Sequence, residues 1–109
     1  MIQLHIVEQL LIRCARNKTD ISYAETLLAL GTTFTRLKMR ELCRVLGEVE
    51  ERGRANGEPE LAVLVVRGSD RLPGDGWWAC RTSYRGEWTG EQAEKYVRRL
   101  QRKAYKYWA

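Results

Sequence analysis

Six consecutive apolar residues, Leu61-Ala62-Val63-Leu64-Val65-Val66, constrain this chain more than any other stretch. They form its one continuous apolar run dominated by β-branched side chains, and no polar residue alternates with them. Alternation marks a strand with one wet face. Its absence, over a length too short for a helix, describes a strand covered on both faces. Glu58-Pro59 punctuates the run before, and Arg67-Gly68-Ser69-Asp70 after. Leu72-Pro73-Gly74-Asp75-Gly76 reads as a turn-rich loop, because proline fixes φ and the two glycines permit positive φ. Trp77-Trp78-Ala79-Cys80 is then expected to return as a second strand, making a hairpin on which the helices pack.

Helical periodicity accounts for most of the remainder. Leu4, Val7, Leu10, Leu11, Cys14 and Ala15 predict a first helix over residues 2–16, closed by Asn17 in the left-handed conformation. Ser22-Tyr23-Ala24-Glu25 fits a capping box, in which hydroxyl and carboxylate satisfy each other's orphan amides. A short helix from Tyr23 to Leu30 follows and stops at Gly31. Thr32, Thr33 and Thr35 offer caps for a third helix over roughly residues 35–53, ending near Gly53 or Gly57.

The third helix divides into faces. At about 100° per residue, Met39, Leu42, Cys43, Val45, Leu46 and Val49 fall on one side, and Arg36, Arg40 and Arg44 on the other. Those arginines sit in the N-terminal half, while Glu48, Glu50 and Glu51 sit in the C-terminal half. Both placements oppose the helix macrodipole. Charge held against the dipole suggests a use outside the helix; the plainer alternative is that exposed charge drifts freely.

Arg81 to Gly90 is a polar connection carrying Tyr84 and Trp88. Thr89-Gly90-Glu91-Gln92 reads as a second capping box, opening a final helix from Gly90 to Tyr107. Ala93, Val97, Leu100, Ala104 and Trp108 make its apolar stripe, and Lys95, Arg98, Arg99, Arg102 and Lys106 lie on the reverse side.

Charge is unevenly placed. The net charge is +5, and residues 91–109 hold six bases against two acids, so the terminal helix supplies most of it. Eight of the ten aromatics also fall in the last third. Most are expected to be core; stacking on a nucleobase is the functional alternative. At 109 residues the chain is expected to form one domain, 1–109, with a single core. Cys14, Cys43 and Cys80 are odd in number, without CxxC spacing, and His5 is the sole histidine. No metal site or cofactor is expected, and the cysteines read as three reduced core thiols of a cytoplasmic protein. The N-terminal stretch lacks a basic n-region and a small-residue cleavage site, so neither a signal peptide nor a membrane span is expected.

Helix, short capped helix, longer helix with outward arginines, then hairpin: this is the order of a winged helix-turn-helix, whose third helix enters the major groove. The expected fold is therefore α+β and winged-helix-like, with three N-terminal helices, a β-hairpin and a C-terminal amphipathic helix. Arg71, at the hairpin tip, is placed for a phosphate.

Two resemblances bear on this reading. The segment from Tyr23 to about Gly76 resembles the DNA-binding half of the alkylguanine alkyltransferase and alkyltransferase-like family. There a Tyr-led short helix ending in Leu-Gly precedes an Arg-bearing helix, a Pro and a Val-Val strand. That family's Pro-Cys-His-Arg reads Pro59-Glu60-Leu61-Ala62 here, so the acceptor Cys and its activating His are missing. The resemblance implies architecture without alkyl transfer.

Tyr23 to Gly31, Leu46 to Gly57, Pro59 to Val66, Leu72 to Trp77 and Ala104 to Trp108 are similar to a family of small bacterial and phage-associated proteins. Its pattern runs Tyr-x-Glu-Leu-Ala, Gly-Leu-Pro-Pro-Leu, Leu-Val-Val, Gly-Leu-Pro-Gly-x-Gly-Phe and a Tyr-x-Trp end. It implies one intact domain in a prokaryotic or phage setting, and nothing about mechanism.

No phosphate loop is present, since Leu-Pro-Gly-Asp-Gly lacks the Lys-Ser/Thr that a nucleotide site needs. The expectation is a non-enzymatic nucleic-acid-binding protein, with duplex DNA as partner. Arg36, Lys38, Arg40 and Arg44 would meet the groove, and Arg71, Lys95, Arg98, Arg99, Arg102 and Lys106 the phosphates. The rival expectation is a phage or mobile-element module that binds a host protein through its aromatics and basic helix.

Overall fold

In the computed structural model, which describes residues 2–81 and 84–109, helices enclose one short pair of strands. The order is α1 (Leu4–Arg16), β1 (Ile21–Ser22), α2 (Tyr23–Ala29), α3 (Arg36–Ala55), a 3₁₀ turn (Ala62–Leu64), β2 (Val65–Val66), α4 (Asp75–Ala79) and α5 (Gly90–Trp108). The fold is α+β. Thr82 and Ser83, in the polar connection before α5, lie outside the described residues.

The apolar run lies at the centre. Every residue from Leu61 to Val66 is buried, Val63 to Val66 completely. Only Val65 and Val66 are strand, however; the preceding three residues wind into the 3₁₀ turn. Continuous burial without alternation does not distinguish the two conformations, since either can be covered on all sides. Helices α1, α3 and α5 all pack on this segment.

The expected hairpin is not formed. β2 pairs with β1, in parallel, in the register Ile21↔Val65 and Ser22↔Val66. A parallel pair needs a crossover, and α2, α3 and the 3₁₀ turn supply it. Trp77 and Trp78 belong to α4 instead of a returning strand. Gly74 stands at the N-cap and Asp75 in the first turn, where its charge suits the macrodipole. The Gly74 amide donates to the Tyr23 hydroxyl at 2.9 Å, and a Cβ on Gly74 would come within 3.0 Å of that oxygen. The turn residues that suggested a hairpin tip thus begin a helix. Trp78 fills the core at 2% exposure, with its indole N–H donated to the Pro73 carbonyl at 3.0 Å.

The helix ends show where local signals hold. The Ser22–Glu25 capping box forms, its two reciprocal bonds at 2.8 and 3.0 Å. Gly31 follows α2 at φ +84°, a conformation that L side chains rarely adopt. Thr35 caps α3 by accepting from the Lys38 amide. Asn17 does not take the left-handed conformation; Lys18 does, at φ 55°. The box expected at Thr89 is not formed: the Thr89 side chain caps no amide, and the Gln92 side chain lies against Gly86.

Helix α3 extends to Ala55, beyond Gly53, so its last turn carries Arg52 and Arg54. The last turn is therefore charged with its dipole, while Glu48, Glu50 and Glu51 still lie in the C-terminal half and oppose it, as the N-terminal arginines do. Cys43 and Cys80 are exposed, so of the three free thiols Cys14 alone is buried. Among the described residues no helix is long and apolar enough to cross a membrane.

Candidate nucleic-acid interface

The ten basic side chains singled out in the sequence meet different fates. Arg71 is held by two carboxylates. Its guanidinium lies 2.6 Å from Asp20 and 3.3 Å from Glu25, and these two carboxylates hold its pKa above the ordinary arginine value against the opposing effect of burial. It sits at φ 57°, in a tight loop rather than at a hairpin tip. Asp70 builds that loop, accepting from the Leu72 amide and from Arg67, and Asp75 is a second partner of Arg67. Arg71 thus ties together β1, α2 and the loop after β2, with its side chain still 38% exposed.

On α3, Lys38 pairs with Glu41 at 3.5 Å and Arg44 with Glu48 at 2.7 Å. The Glu41 carboxylate also accepts from the Ile2 amide, which lowers its pKa. Arg36 and Arg40 are exposed and make no ion pair among the described residues. They share their side of the helix with Cys43, which the sequence assigned to the apolar face.

Glu50, counted among the charges placed against the dipole, has an internal use. Its carboxylate accepts from the Leu61 and Ala62 amides at 3.1 and 3.4 Å, satisfying the start of the 3₁₀ turn. Burial and then the neighbouring Glu60 push its pKa up to about 7. Glu60 is in turn gripped by both terminal nitrogens of Arg81, at 2.5 and 2.6 Å. Arg81 also donates to the Tyr96 hydroxyl at 2.9 Å and lies 4.2 Å above the Trp77 ring. A cleft of about 290 Å³ runs beside this network, lined by Glu50, Arg54, Glu58, Glu60, Cys80 and Arg81.

Helix α5 keeps most of its basic face free. Its apolar side buries Ala93, Val97 and Ala104 completely. The buried Gln101 amide donates to the Val63 carbonyl at 3.0 Å, which fixes the rotation of the helix. Arg98 is drawn inward, donating to Gln101 at 2.8 Å and lying 3.8 Å from Asp20. Lys95 faces Glu91 in a fully solvated pair, which holds it weakly. Arg99, Arg102 and Lys106 are exposed and pair with no carboxylate among the described residues. Lys103, absent from the sequence-derived set, joins them on the same face. The helical wheel gives its position within 80° of Lys95, a signal that was available in the sequence.

A groove of about 670 Å³ opens beside this face, lined by Tyr84, Arg85, Gln92, Lys95, Tyr96, Arg99 and Arg102. Arg85 comes from the loop before α5, and only the fold brings it here. From Lys95 to Lys106 the basic face runs about 16 Å along the helix axis, roughly five nucleotide steps at 3.4 Å each. No cluster of three or more His, Cys, Asp or Glu residues suited to a metal occurs among the described residues. Compared with protein families, with curated proteins and with solved structures, the chain matches none.

Proposed function

We propose that this is a non-enzymatic nucleic-acid-binding protein that grips duplex DNA through the basic face of α5. The observation that carries the reading is the row Arg99, Arg102, Lys103 and Lys106 on one face of a helix whose opposite face is anchored in the core. Cations held on a rigid element with no carboxylate partner among the described residues are placed for phosphates, and releasing the counterions of DNA supplies the affinity. Phosphate contacts of this kind carry no sequence information, so discrimination falls to Arg36 and Arg40. These stand at the exposed start of α3, the second helix of an α2–turn–α3 pair. In this reading the pair works like a helix-turn-helix unit, and α5 takes the backbone-gripping part that a wing has in winged-helix proteins.

A cytoplasmic setting in a prokaryote or phage accords with three unpaired thiols and with the pattern resemblance. The test is fluorescence anisotropy of a labelled duplex at low salt, comparing the parent chain with Arg99→Glu, Arg102→Glu, Lys103→Glu combined. Binding by the parent and its loss in the folded variant support the reading; equal binding by both, or by neither, removes it.

A second reading has its own observation. Leu28, Phe34 and Leu37, around the α2–α3 connection, are 65%, 63% and 71% exposed. Large apolar side chains so exposed beside arginines suit a protein partner. In that case the Phe34→Ser, Leu37→Ser variant loses a co-purifying protein and keeps its DNA affinity.

A further inference from the structure

We infer that the groove between the loop before α5 and the α5 basic face is a seat for an unpaired nucleobase, so that the protein also engages single-stranded nucleic acid. The inference rests on the nucleic-acid reading above and names what this groove takes.

The floor of the groove is aromatic and rigidly held. The rings of Tyr84 and Tyr96 lie 4.5 Å apart, and both rest on the buried Trp78, at 5.0 and 6.0 Å. Each hydroxyl is occupied. Tyr84 donates to the Glu87 carbonyl at 2.8 Å, and Tyr96 accepts from Arg81, itself clamped by Glu60. Gly86 lets the loop close over Gln92, since a Cβ there would come within 3.0 Å of the Gln92 side-chain oxygen. The rings therefore cannot turn away to make hydrogen bonds elsewhere; what they offer the groove is π surface.

The rim is cationic. Arg85, Lys95, Arg99 and Arg102 line it, and no acidic residue does. The Arg99 guanidinium carbon lies 5.4 Å from the centre of the Tyr96 ring, a cation–π contact at the edge of the groove. Gln92 adds an amide that can donate and accept.

These features select a ligand class. A bare phosphate needs donors and gains nothing from two tyrosine rings. An apolar ligand gains nothing from four cations. A flat π-system joined to phosphate uses both, and the volume of about 670 Å³ lies within the ~300–1,000 Å³ of ordinary ligand sites. In a duplex the base faces are covered by stacking on their neighbours, and only an unpaired base has a face to give. The base lies on the tyrosine floor, while Arg85, Lys95, Arg99 and Arg102 take the flanking phosphates.

The experiment compares three labelled 12-mers at equal salt: oligothymidylate, the same backbone with stable abasic residues, and a duplex. The seat predicts that oligothymidylate binds about tenfold or more tighter than the abasic strand, as base–aromatic stacking allows. Tyr84→Leu removes a ring of the floor and leaves every charge of the rim in place. It should reduce the preference for oligothymidylate over the abasic strand several-fold, with duplex affinity as the control for the cations. Duplex binding together with equal affinity for oligothymidylate and the abasic strand overturns the seat and leaves the duplex reading standing. Binding of oligothymidylate alone overturns the duplex reading and keeps the seat. An unchanged preference in the folded Tyr84→Leu variant overturns the seat, and no binding of any of the three overturns both.

Discussion

Gln101 of α5 donates its side-chain amide to the main-chain carbonyl of Val63 at 3.0 Å, inside the core and out of reach of water. This bond fastens the basic helix to the innermost segment of the chain. The Gln101 oxygen, at the other end of the same amide, holds Arg98. One buried polar residue therefore sets which cations of α5 face outward and which face in.

Gln101→Leu is accordingly expected to destabilise the fold by about 1–3 kcal/mol, because the Val63 carbonyl is left buried and unpaired. Urea unfolding gives the value. Arg98→Ala, by contrast, should barely lower DNA affinity, since that guanidinium is already engaged within the protein.

The carboxyl of Glu50 predicts a pH dependence. Its pKa in the folded chain, about 7, stands above the 4.5 of the free side chain. Between those values the folded state keeps a proton that the unfolded state has released, so the group's contribution is complete below pH 4.5 and is lost as the pH rises through 7. The parent should lose on the order of 1–3 kcal/mol of stability between about pH 5 and 8 through this group. Glu50→Gln, neutral throughout and still able to accept from Leu61 and Ala62, should flatten that slope. Equal slopes for parent and variant in urea titrations would show that Glu50 is ionised in the fold.

Val65 is fully buried in the strand pair at the centre of the molecule. Val65→Asp places a carboxylate where no partner exists, at a cost of several kcal/mol, comparable to the whole stability of a domain. The variant should be recovered unfolded or aggregated; a cooperative thermal transition near that of the parent would contradict the central placement of this segment.

What the sequence made legible is local or periodic. The faces of α1 and α5, that of α3 apart from Cys43, the capping box at Ser22 and the burial of residues 61–66 all follow from spacing, and spacing is visible in one dimension. The hairpin was misread because Pro73-Gly74-Asp75 satisfies the rules of a turn and those of a helix start equally well, and the choice is made by Tyr23, 51 residues away, bonding to the Gly74 amide. The partner of β2 was equally hidden, since two residues of strand, Ile21 and Ser22, leave no pattern to read. At the candidate interface the free charges of α5 could be found on a helical wheel. The capture of Arg71 by Asp20 could not, nor could the placing of Arg85 and Tyr96 along one groove.

That capture gives its own prediction. Arg71→Ala should leave the affinity for nucleic acid within about twofold of the parent. It should cost roughly 1 kcal/mol of stability, the upper range for partly exposed ion pairs. A large loss of DNA affinity at unchanged stability would return Arg71 to the interface.

The central claim, that α5 holds phosphates, is tested most directly by the slope of log affinity against log salt for unrelated duplex sequences. The account predicts a steep negative slope shared by all sequences, with Arg99→Ala and Arg102→Ala each weakening every sequence alike and lowering the slope by about one unit. Binding that ignores salt, or the parent slope retained in both variants, would contradict it.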